Sequence, residues 1–134
     1  MRALLFSIAV ALGIGSCGTP ADHPEEPIWG KQPCGHCAML LTELAHGAQL
    51  VTQAGDRLFF DDLGCMAAWE NEHTGQTQHH WVRRNDAPGW LVADTATYQR
   101  APHTPMDFGF VALPTGGEVR WPTVVAAVRQ KLAK

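Results

Sequence analysis

A chain of 134 residues is long enough for one modest domain or two very small units. Its 13 acidic residues outnumber its 10 basic residues, so that the formal net charge is −3, and no basic patch stands out. This balance argues against a nucleic-acid-binding protein, whose binding face requires clustered lysine and arginine.

The first sixteen residues have the pattern of a secretory signal. Arg2 supplies a positive charge, and the apolar run over residues 3–14 is too short to span a bilayer as a helix. The sequence Ile-Gly-Ser-Cys at residues 14–17 resembles the lipobox of bacterial lipoproteins. We therefore predict cleavage after residue 16 and a diacylglyceryl group on Cys17; the alternative is an ordinary secretory signal that a cysteine follows by chance.

The lipid anchor predicts where the protein lies. Acyl chains on Cys17 would hold it in the cell envelope, facing the periplasm, with no other membrane attachment. Gly18 stands where an aspartate retains many lipoproteins in the inner membrane, which favours the outer membrane.

The remaining chain carries three cysteines: Cys34, Cys37 and Cys65. Because residues 1–16 contain one arginine and no acidic residue, its net charge is −4. In an oxidising compartment, an odd number of cysteines leaves at least one thiol free, bound to a metal or paired with another chain.

The composition divides the chain into a tether and a globular part. Residues 17–33 are rich in proline and charge and lack apolar periodicity, which predicts a flexible tether after the lipidated cysteine. The domain then covers residues 34–134. A polar loop near residue 75 predicts a first unit over residues 34–75 and a second over residues 76–134.

In the first unit, the pattern predicts strands over residues 37–44, 48–53 and 57–60. Asp61 or Asp62 can cap a helix that runs to about residue 73. The two carboxylates also resemble a catalytic pair, but capping explains them with fewer assumptions.

In the second unit, we predict strands over residues 80–83 and 90–93 and a short helix over residues 95–100. A hairpin over residues 108–121 and a final helix that begins near Pro122 complete the pattern. Strands with helices set among them indicate an α+β fold of two small units.

The segment Cys34-Gly-His-Cys37 admits several kinds of site. A c-type haem site is excluded, because Ala38 stands where that site needs histidine. A thioredoxin-like redox motif would follow a buried strand and begin a helix, but here a proline-rich tether precedes it. Structural zinc would require a further cysteine or histidine pair; His79 and His80 are adjacent rather than suitably spaced.

A copper site is the interpretation we favour. On a strand, Cys37 and Met39 would project from the same face. Two soft sulfur donors without a hard oxygen partner select Cu(I) over zinc, iron or magnesium. Met106, in a proline-rich loop before a predicted strand, is a further sulfur donor, and His103 in the same loop is a competing or additional one.

Several motifs in this order resemble the NosL family, copper-chaperone lipoproteins associated with the assembly of nitrous oxide reductase. They are Cys-x-x-Cys-x-Met at residues 34–39, Phe-Asp-Asp-x-x-Cys-Met at residues 60–66, the tryptophan-containing strand at residues 90–93, and Thr-Pro-Met at residues 104–106. The resemblance covers residues 34–125. It implies two similar ββαβ units and Cu(I) held by sulfur, with Cys37, Met39 and Met106 matching the family's ligands. The family usually has glycine where this chain has Ala38.

The remaining cysteines leave alternatives open. Cys34 can pair with Cys37, pair with Cys65 or join the metal as an additional ligand. A Cys34–Cys65 disulfide would leave Cys37 free and suits a metal site best. Cys65 and Met66 are adjacent on a helix, where side chains diverge by about 100°, so core packing is the better interpretation of that pair.

These observations together predict a non-enzymatic chaperone that binds Cu(I) and passes it to a protein partner. The resemblance implies nitrous oxide reductase or its assembly machinery as that partner. The alternative is a periplasmic thiol–disulfide oxidoreductase that uses Cys34 and Cys37.

Overall fold

A computed structural model describes residues 18–134, so the predicted signal sequence and Cys17 lie outside the described residues. Within residues 18–134, two α-helices, a 3-10 turn at Leu44–His46 and six strands confirm the predicted α+β class. No helix in this range is long and apolar enough to cross a membrane. The elements are β1 Ala48–Thr52, β2 Arg57–Phe60, α1 Leu63–Glu72, β3 Thr77–Arg83, β4 Trp90–Val92, β5 Thr97–Arg100, β6 Phe110–Leu113 and α2 Trp121–Leu132.

Four strands form an antiparallel sheet in the order β2-β1-β3-β4. Ala48 at the start of β1 lies opposite Phe60 on one side and Val82 on the other. The succession β1-β2-α1-β3 is a ββαβ unit. The predicted division near residue 75 therefore falls inside this unit, because β3 pairs with β1.

The second half of the chain contains the hairpin β5–β6, followed by α2. Tyr98 in β5 lies opposite Ala112 and also forms a bridge with Val119. The predicted helix over residues 95–100 is therefore wrong, and so is the predicted hairpin between residues 108–113 and 118–121. Both of those segments pair with β5 instead of with each other.

One core joins the two halves of the chain. The end of β3 reaches the hairpin through a bridge between Arg84 and Ala112 and through a hydrogen bond from the Asn85 N–H to the Ala112 carbonyl. The predicted final helix is present, and α1 packs against it. The largest fully buried apolar side chains of the core include Leu50, Phe60, Leu63, Met66, Val82, Tyr98, Val124 and Val128.

Residues 20–33, where the sequence predicts a flexible tether, lie against the outer face of the four-stranded sheet. Gln49 alternates with the core residues of β1 and therefore faces away from α1. Its side chain is fully buried and exchanges two hydrogen bonds with the backbone of Glu25. The Glu26 carboxylate accepts hydrogen bonds from Arg83 and Trp90. Composition did not reveal this docking because polar partners on distant strands provide it.

Candidate metal centre

Three cysteine sulfurs meet at one end of the four-stranded sheet. The Sγ atoms of Cys34, Cys37 and Cys65 all lie within 4.8 Å of one another. Cys34 and Cys65 are buried, whereas Cys37 is partly exposed. We call these three residues the thiol cluster.

A tight turn carries the first two thiols. The Cys34 N–H donates to the Met39 carbonyl over 2.7 Å, and the Ala38 N–H donates to the Cys34 carbonyl over 3.1 Å. Ala38 has φ of +64°, in the left-handed region that side chains disfavour. The predicted strand over residues 37–44 is therefore wrong, because Ala38 reverses the chain where an extended backbone was expected.

The expected alternation of Cys37 and Met39 on a strand consequently does not apply. Both side chains instead belong to the closed turn over residues 34–39, and Met39 is 54% exposed. Their role as copper ligands stays a prediction, but both side chains are accessible from solvent.

The first turn of α1 supplies the third thiol. Asp62 caps this helix, as predicted, by accepting a hydrogen bond from the Gly64 N–H over 2.8 Å. Cys65 is the third residue of the helix. The predicted role in core packing fits Met66, which is fully buried in the core. The sulfur of Cys65, in contrast, belongs to the thiol cluster.

Asp61 and Asp62 attach two loops to the start of α1. Asp61 Oδ1 accepts from the Thr42 N–H over 3.3 Å. Asp62 Oδ2 accepts from the Met106 N–H over 3.0 Å, so both of its oxygens are occupied by backbone donors. The carboxylates therefore hold the structure together at the thiol cluster.

The loop that carries Met106 rests directly on α1. Phe108 packs so closely over Gly64 that a Cβ there would come within 2.2 Å of its ring. Met106 is partly buried against the core, whereas His103 is exposed in the same loop. The start of α1 thus brings the backbone of the Met106 loop close to Cys65.

The three thiols differ in acidity. The pKa of Cys34 is lowered, because the Cys65 thiol and the backbone N–H groups of Cys37, Asp61 and His36 donate to its sulfur. The pKa of Cys65 is raised, because its proton is donated to Cys34 and because it is buried. Burial also raises the pKa of Cys37. Cys34 is therefore the most acidic of the three thiols.

None of the three cysteines in the described range forms a disulfide bond. The sulfurs of Cys34 and Cys65, for which a disulfide was predicted, are adjacent, and the pairing stays a prediction. Cys65 was not among the predicted metal ligands. The spacing Asp62-x-x-Cys65 could have indicated its position, because a helix that begins after the capping residue Asp62 has Cys65 in its first turn.

Three clustered sulfur donors suit a soft metal ion. Cu(I) accepts thiolate and thioether ligands, whereas a structural zinc site takes four nitrogen or sulfur ligands. Binding by the cluster would release thiol protons, since thiolates are the ligands.

The surroundings of the Cys34–Cys37 pair differ from those of a thioredoxin-like motif. In that motif the cysteines begin a helix whose N-terminus lowers the thiol pKa. Here the pair lies in a turn, and the next α-helix, α1, begins at Leu63. Hydrogen bonds from Cys65 and the backbone lower the pKa of Cys34 instead.

Comparison with solved structures identifies a similar fold. The crystal structure of the copper chaperone NosL from Shewanella denitrificans superimposes with a TM-score of 0.62 and 16% sequence identity, covering 84% of this chain and 89% of that one. No family model matches the chain, and no curated protein matches it. The likeness shows that this chain shares the fold of that protein. The expectation of a second ββαβ unit is wrong, because in the described residues the second half is β5–β6–α2 and no strand follows α2.

Proposed function

We propose that this protein is an extracytoplasmic lipoprotein, acylated on Cys17, that binds Cu(I) and delivers it to another protein. The observation that carries the proposal is the convergence of three cysteine sulfurs within 4.8 Å. Such a soft donor set has no need of a hard oxygen ligand, and it favours Cu(I) among the common metal ions.

The unequal exposure of the sulfurs suits a site that releases its cargo. Cys34 and Cys65 are buried and would retain the ion, whereas Cys37 and Met39 are accessible to an incoming ligand. In a site of low coordination number, a ligand of the recipient can bind before a ligand of the donor leaves. Met106 would complete the donor set from the loop that Asp62 attaches to α1.

The proposed recipient is nitrous oxide reductase or its assembly machinery. This part of the proposal rests on the resemblance to the NosL family in the motifs and in the fold. A copper-delivering protein of similar fold that served another copper enzyme would have the same cluster.

An anaerobic titration of the reduced protein with Cu(I), against a competing chelator, tests the proposal. We expect one Cu(I) per chain and a loss of affinity of at least about tenfold in Cys37→Ser and in Cys65→Ser. Met39→Leu and Met106→Leu, which retain side-chain volume, report whether each thioether contributes. His103→Ala reports whether the imidazole in the same loop is an additional donor. His23→Ala is the control, because its exposed ring contacts the neighbouring Asp22 and we expect unchanged affinity.

A protein that binds no Cu(I), or that binds it equally well after both cysteine substitutions, would contradict the proposal. A preference for Zn²⁺ over Cu(I) in a competition experiment would replace copper with zinc at the same cluster.

A second candidate is thiol–disulfide exchange by Cys34 and Cys37. The lowered pKa of Cys34 favours it, because the thiolate is the attacking species. However, Cys34 is only 4% exposed, which limits the access of a substrate disulfide. Reduction of insulin by the protein, abolished in Cys34→Ser and accompanied by no copper binding, would support this alternative.

A further inference from the structure

The thiol cluster contains one thiol more than a disulfide bond uses. Its three Sγ atoms lie within 4.8 Å of one another, and a disulfide joins two sulfurs at about 2 Å. Side-chain rotation therefore has to close a gap of at most about 3 Å to form one. Whichever pair forms the bond, the third sulfur stays beside it, where it can attack the disulfide or remain a metal ligand.

Exposure divides the cluster into one thiol that solvent reaches and two that it does not. Cys34 is 4% exposed and Cys65 is fully buried, whereas Cys37 is partly exposed. Thiol–disulfide exchange requires direct access of the attacking sulfur to the disulfide. A disulfide oxidant in solution is therefore attacked by Cys37, and the two buried thiols react with a sulfur that is already inside the cluster.

Three successive exchanges carry the oxidation from Cys37 to the buried pair. The Cys37 thiolate attacks the oxidant disulfide, forms a mixed disulfide and expels one thiolate of the oxidant. Cys34 then attacks the sulfur of Cys37 and expels the second thiolate. Cys65 finally attacks Cys34, expels Cys37 as a thiolate and leaves a Cys34–Cys65 disulfide. Two electrons pass from Cys34 and Cys65 to the oxidant, whose two thiolates take up the two protons that these thiols lose.

Two features favour the Cys34–Cys65 bond over the other pairs. Thirty residues lie between these cysteines, against two between Cys34 and Cys37, and closing the longer loop restricts the unfolded chain more strongly. The bond also joins the two buried sulfurs, so thiols in solution do not reach it. Any disulfide that includes Cys37 stays open to further exchange.

The reduced and the oxidised cluster offer different donors to copper. The reduced cluster provides three thiols, each of which becomes a thiolate ligand when it binds a metal ion. After the Cys34–Cys65 bond forms, Cys37 is the one thiolate that remains, and the thioethers of Met39 and Met106 are the further donors of the proposed site. A thioether carries no charge and binds Cu(I) more weakly than a thiolate, so oxidation weakens the site.

We propose that the thiol cluster is a redox-controlled copper site. In its reduced form the cluster retains Cu(I) with three thiolates, and the Cys34–Cys65 disulfide converts it to a form with one thiolate that releases the ion. Copper stays Cu(I) throughout, because the oxidant takes its electrons from sulfur. The inference rests on the proposed function, which supplies Cu(I) as the cargo and an extracytoplasmic location, where disulfide oxidants are present.

Stoichiometric oxidation of the reduced, acylated protein under anaerobic conditions tests this control. The oxidant is dithiodipyridine, an aromatic disulfide whose thiopyridone product absorbs light, added at one equivalent per chain. We expect two thiopyridones per chain, since a mixed disulfide that persisted would release one. Mass spectrometry after alkylation should identify Cys34 linked to Cys65 and Cys37 alkylated.

The copper affinity of the two forms is then compared by chelator competition. We expect at least about a hundredfold weaker binding by the disulfide form, since loss of a residue that merely supports a ligand already costs about 10–100-fold. Treatment of the disulfide form with dithiothreitol is the control, because it should restore the affinity of the reduced protein.

Cys37→Ser tests the entry of the oxidant. Its two remaining thiols of the cluster are buried, so we expect the release of thiopyridone to be at least about tenfold slower than in the wild type. Release at the wild-type rate would show that the oxidant reaches Cys34 or Cys65 directly and would overturn the proposed order of exchanges.

The outcomes separate this inference from the proposed function. A persistent mixed disulfide, a bond between another pair of cysteines, or a disulfide form that binds Cu(I) as tightly as the reduced protein would overturn the redox control alone. A reduced protein that binds no Cu(I) would contradict the proposed function, whether or not the disulfide forms.

Discussion

Ala38 is the residue under the greatest local backbone strain in the turn that carries two of the thiols. Its φ of +64° is a conformation that glycine adopts freely and that costs an L-residue with a side chain roughly 1–2 kcal/mol. The NosL family, which the motifs of this chain resemble, usually has glycine at this position. The structure shows that this position requires the conformation that glycine favours.

Ala38→Gly should therefore stabilise the protein. The relief of strain exceeds the greater chain entropy that glycine brings to the unfolded state, so we expect the free energy of unfolding to rise by up to about 1 kcal/mol. Urea denaturation of the reduced protein measures this change through the midpoint at constant slope.

Ala54→Gly is the matched control for this substitution. Ala54 is exposed in a turn and has an ordinary negative φ, so glycine should lower the free energy of unfolding there by a few tenths of a kcal/mol to about 1 kcal/mol. Equal effects of the two substitutions would show that Ala38 is not strained.

At the scale of single elements, the contact between α1 and the Met106 loop depends on a glycine inside a helix. Gly64 lies in the first turn of α1, where alanine would normally be preferred by about 1 kcal/mol. The Phe108 ring occupies the space of the missing side chain, at 2.2 Å from where a Cβ would lie.

Gly64→Ala should consequently destabilise the protein in spite of its better helix propensity. We expect the overlap with Phe108 to lower the free energy of unfolding by about 1–3 kcal/mol, because the packed loop has to shift. Because that loop carries Met106, the affinity for Cu(I) should fall as well. Thermal or urea unfolding and the chelator titration measure the two effects.

The double substitution Gly64→Ala with Phe108→Leu separates overlap from other causes. The smaller side chain makes room for the alanine, so the double variant should be more stable than the sum of the two single effects implies. Additive losses would contradict the packing explanation.

The elements that local signals define were predictable, whereas the pairing of distant segments was not. Asp62 and the apolar pattern after it identified α1, and the turn at residues 54–56 identified β1 and β2. In contrast, β5 was mistaken for a helix, because its extended form depends on Ala112 and Val119, which lie far along the chain.

The candidate site was predictable in part for the same reason. The Cys-x-Met pattern identified Cys37 as a soft sulfur donor, although the expected strand that would align it with Met39 is a turn. The approach of Cys65 depends on the packing of the start of α1 against the turn over residues 34–39. Two hydrogen bonds between residues distant in sequence position the turn beside the start of α1. They run from the Gly35 N–H to the Phe59 carbonyl and from the Thr42 N–H to the Asp61 carboxylate. No spacing along the sequence encodes these bonds.

At the scale of the whole molecule, His80 in β3 connects elements from both halves of the chain. Its Nδ1 lies 2.6 Å from a carboxylate oxygen of Glu70 in α1, and its Nε2 lies 3.0 Å from one of Asp94. Trp121, the first residue of α2, donates to the other oxygen of Glu70 over 2.8 Å and contacts the imidazole edge-on. Since each ring nitrogen faces a carboxylate, the network requires the doubly protonated imidazolium.

This network should make stability depend on pH. Burial by itself lowers the pKa of His80, but the hydrogen bonds and charges of Glu70 and Asp94 outweigh it, and the pKa is raised in the folded protein. The folded state therefore binds the proton more tightly than the unfolded chain, whose histidine pKa is about 6.5. The stabilisation is complete below that value and is lost as the pH rises through the raised pKa of the folded protein.

Urea unfolding across this pH range, compared between wild type and His80→Gln, isolates the contribution. We expect the wild type to exceed the variant in stability most at low pH, and the difference to shrink as the pH rises above about 6.5. His23→Gln is the control, because His23 is exposed and its ring contacts the neighbouring Asp22. The same cysteines are present in all three proteins, so their titration does not contribute to the difference in stability. A difference that stayed constant with pH would mean that His80 stabilises the protein through packing and not through its protonated contacts with Glu70 and Asp94.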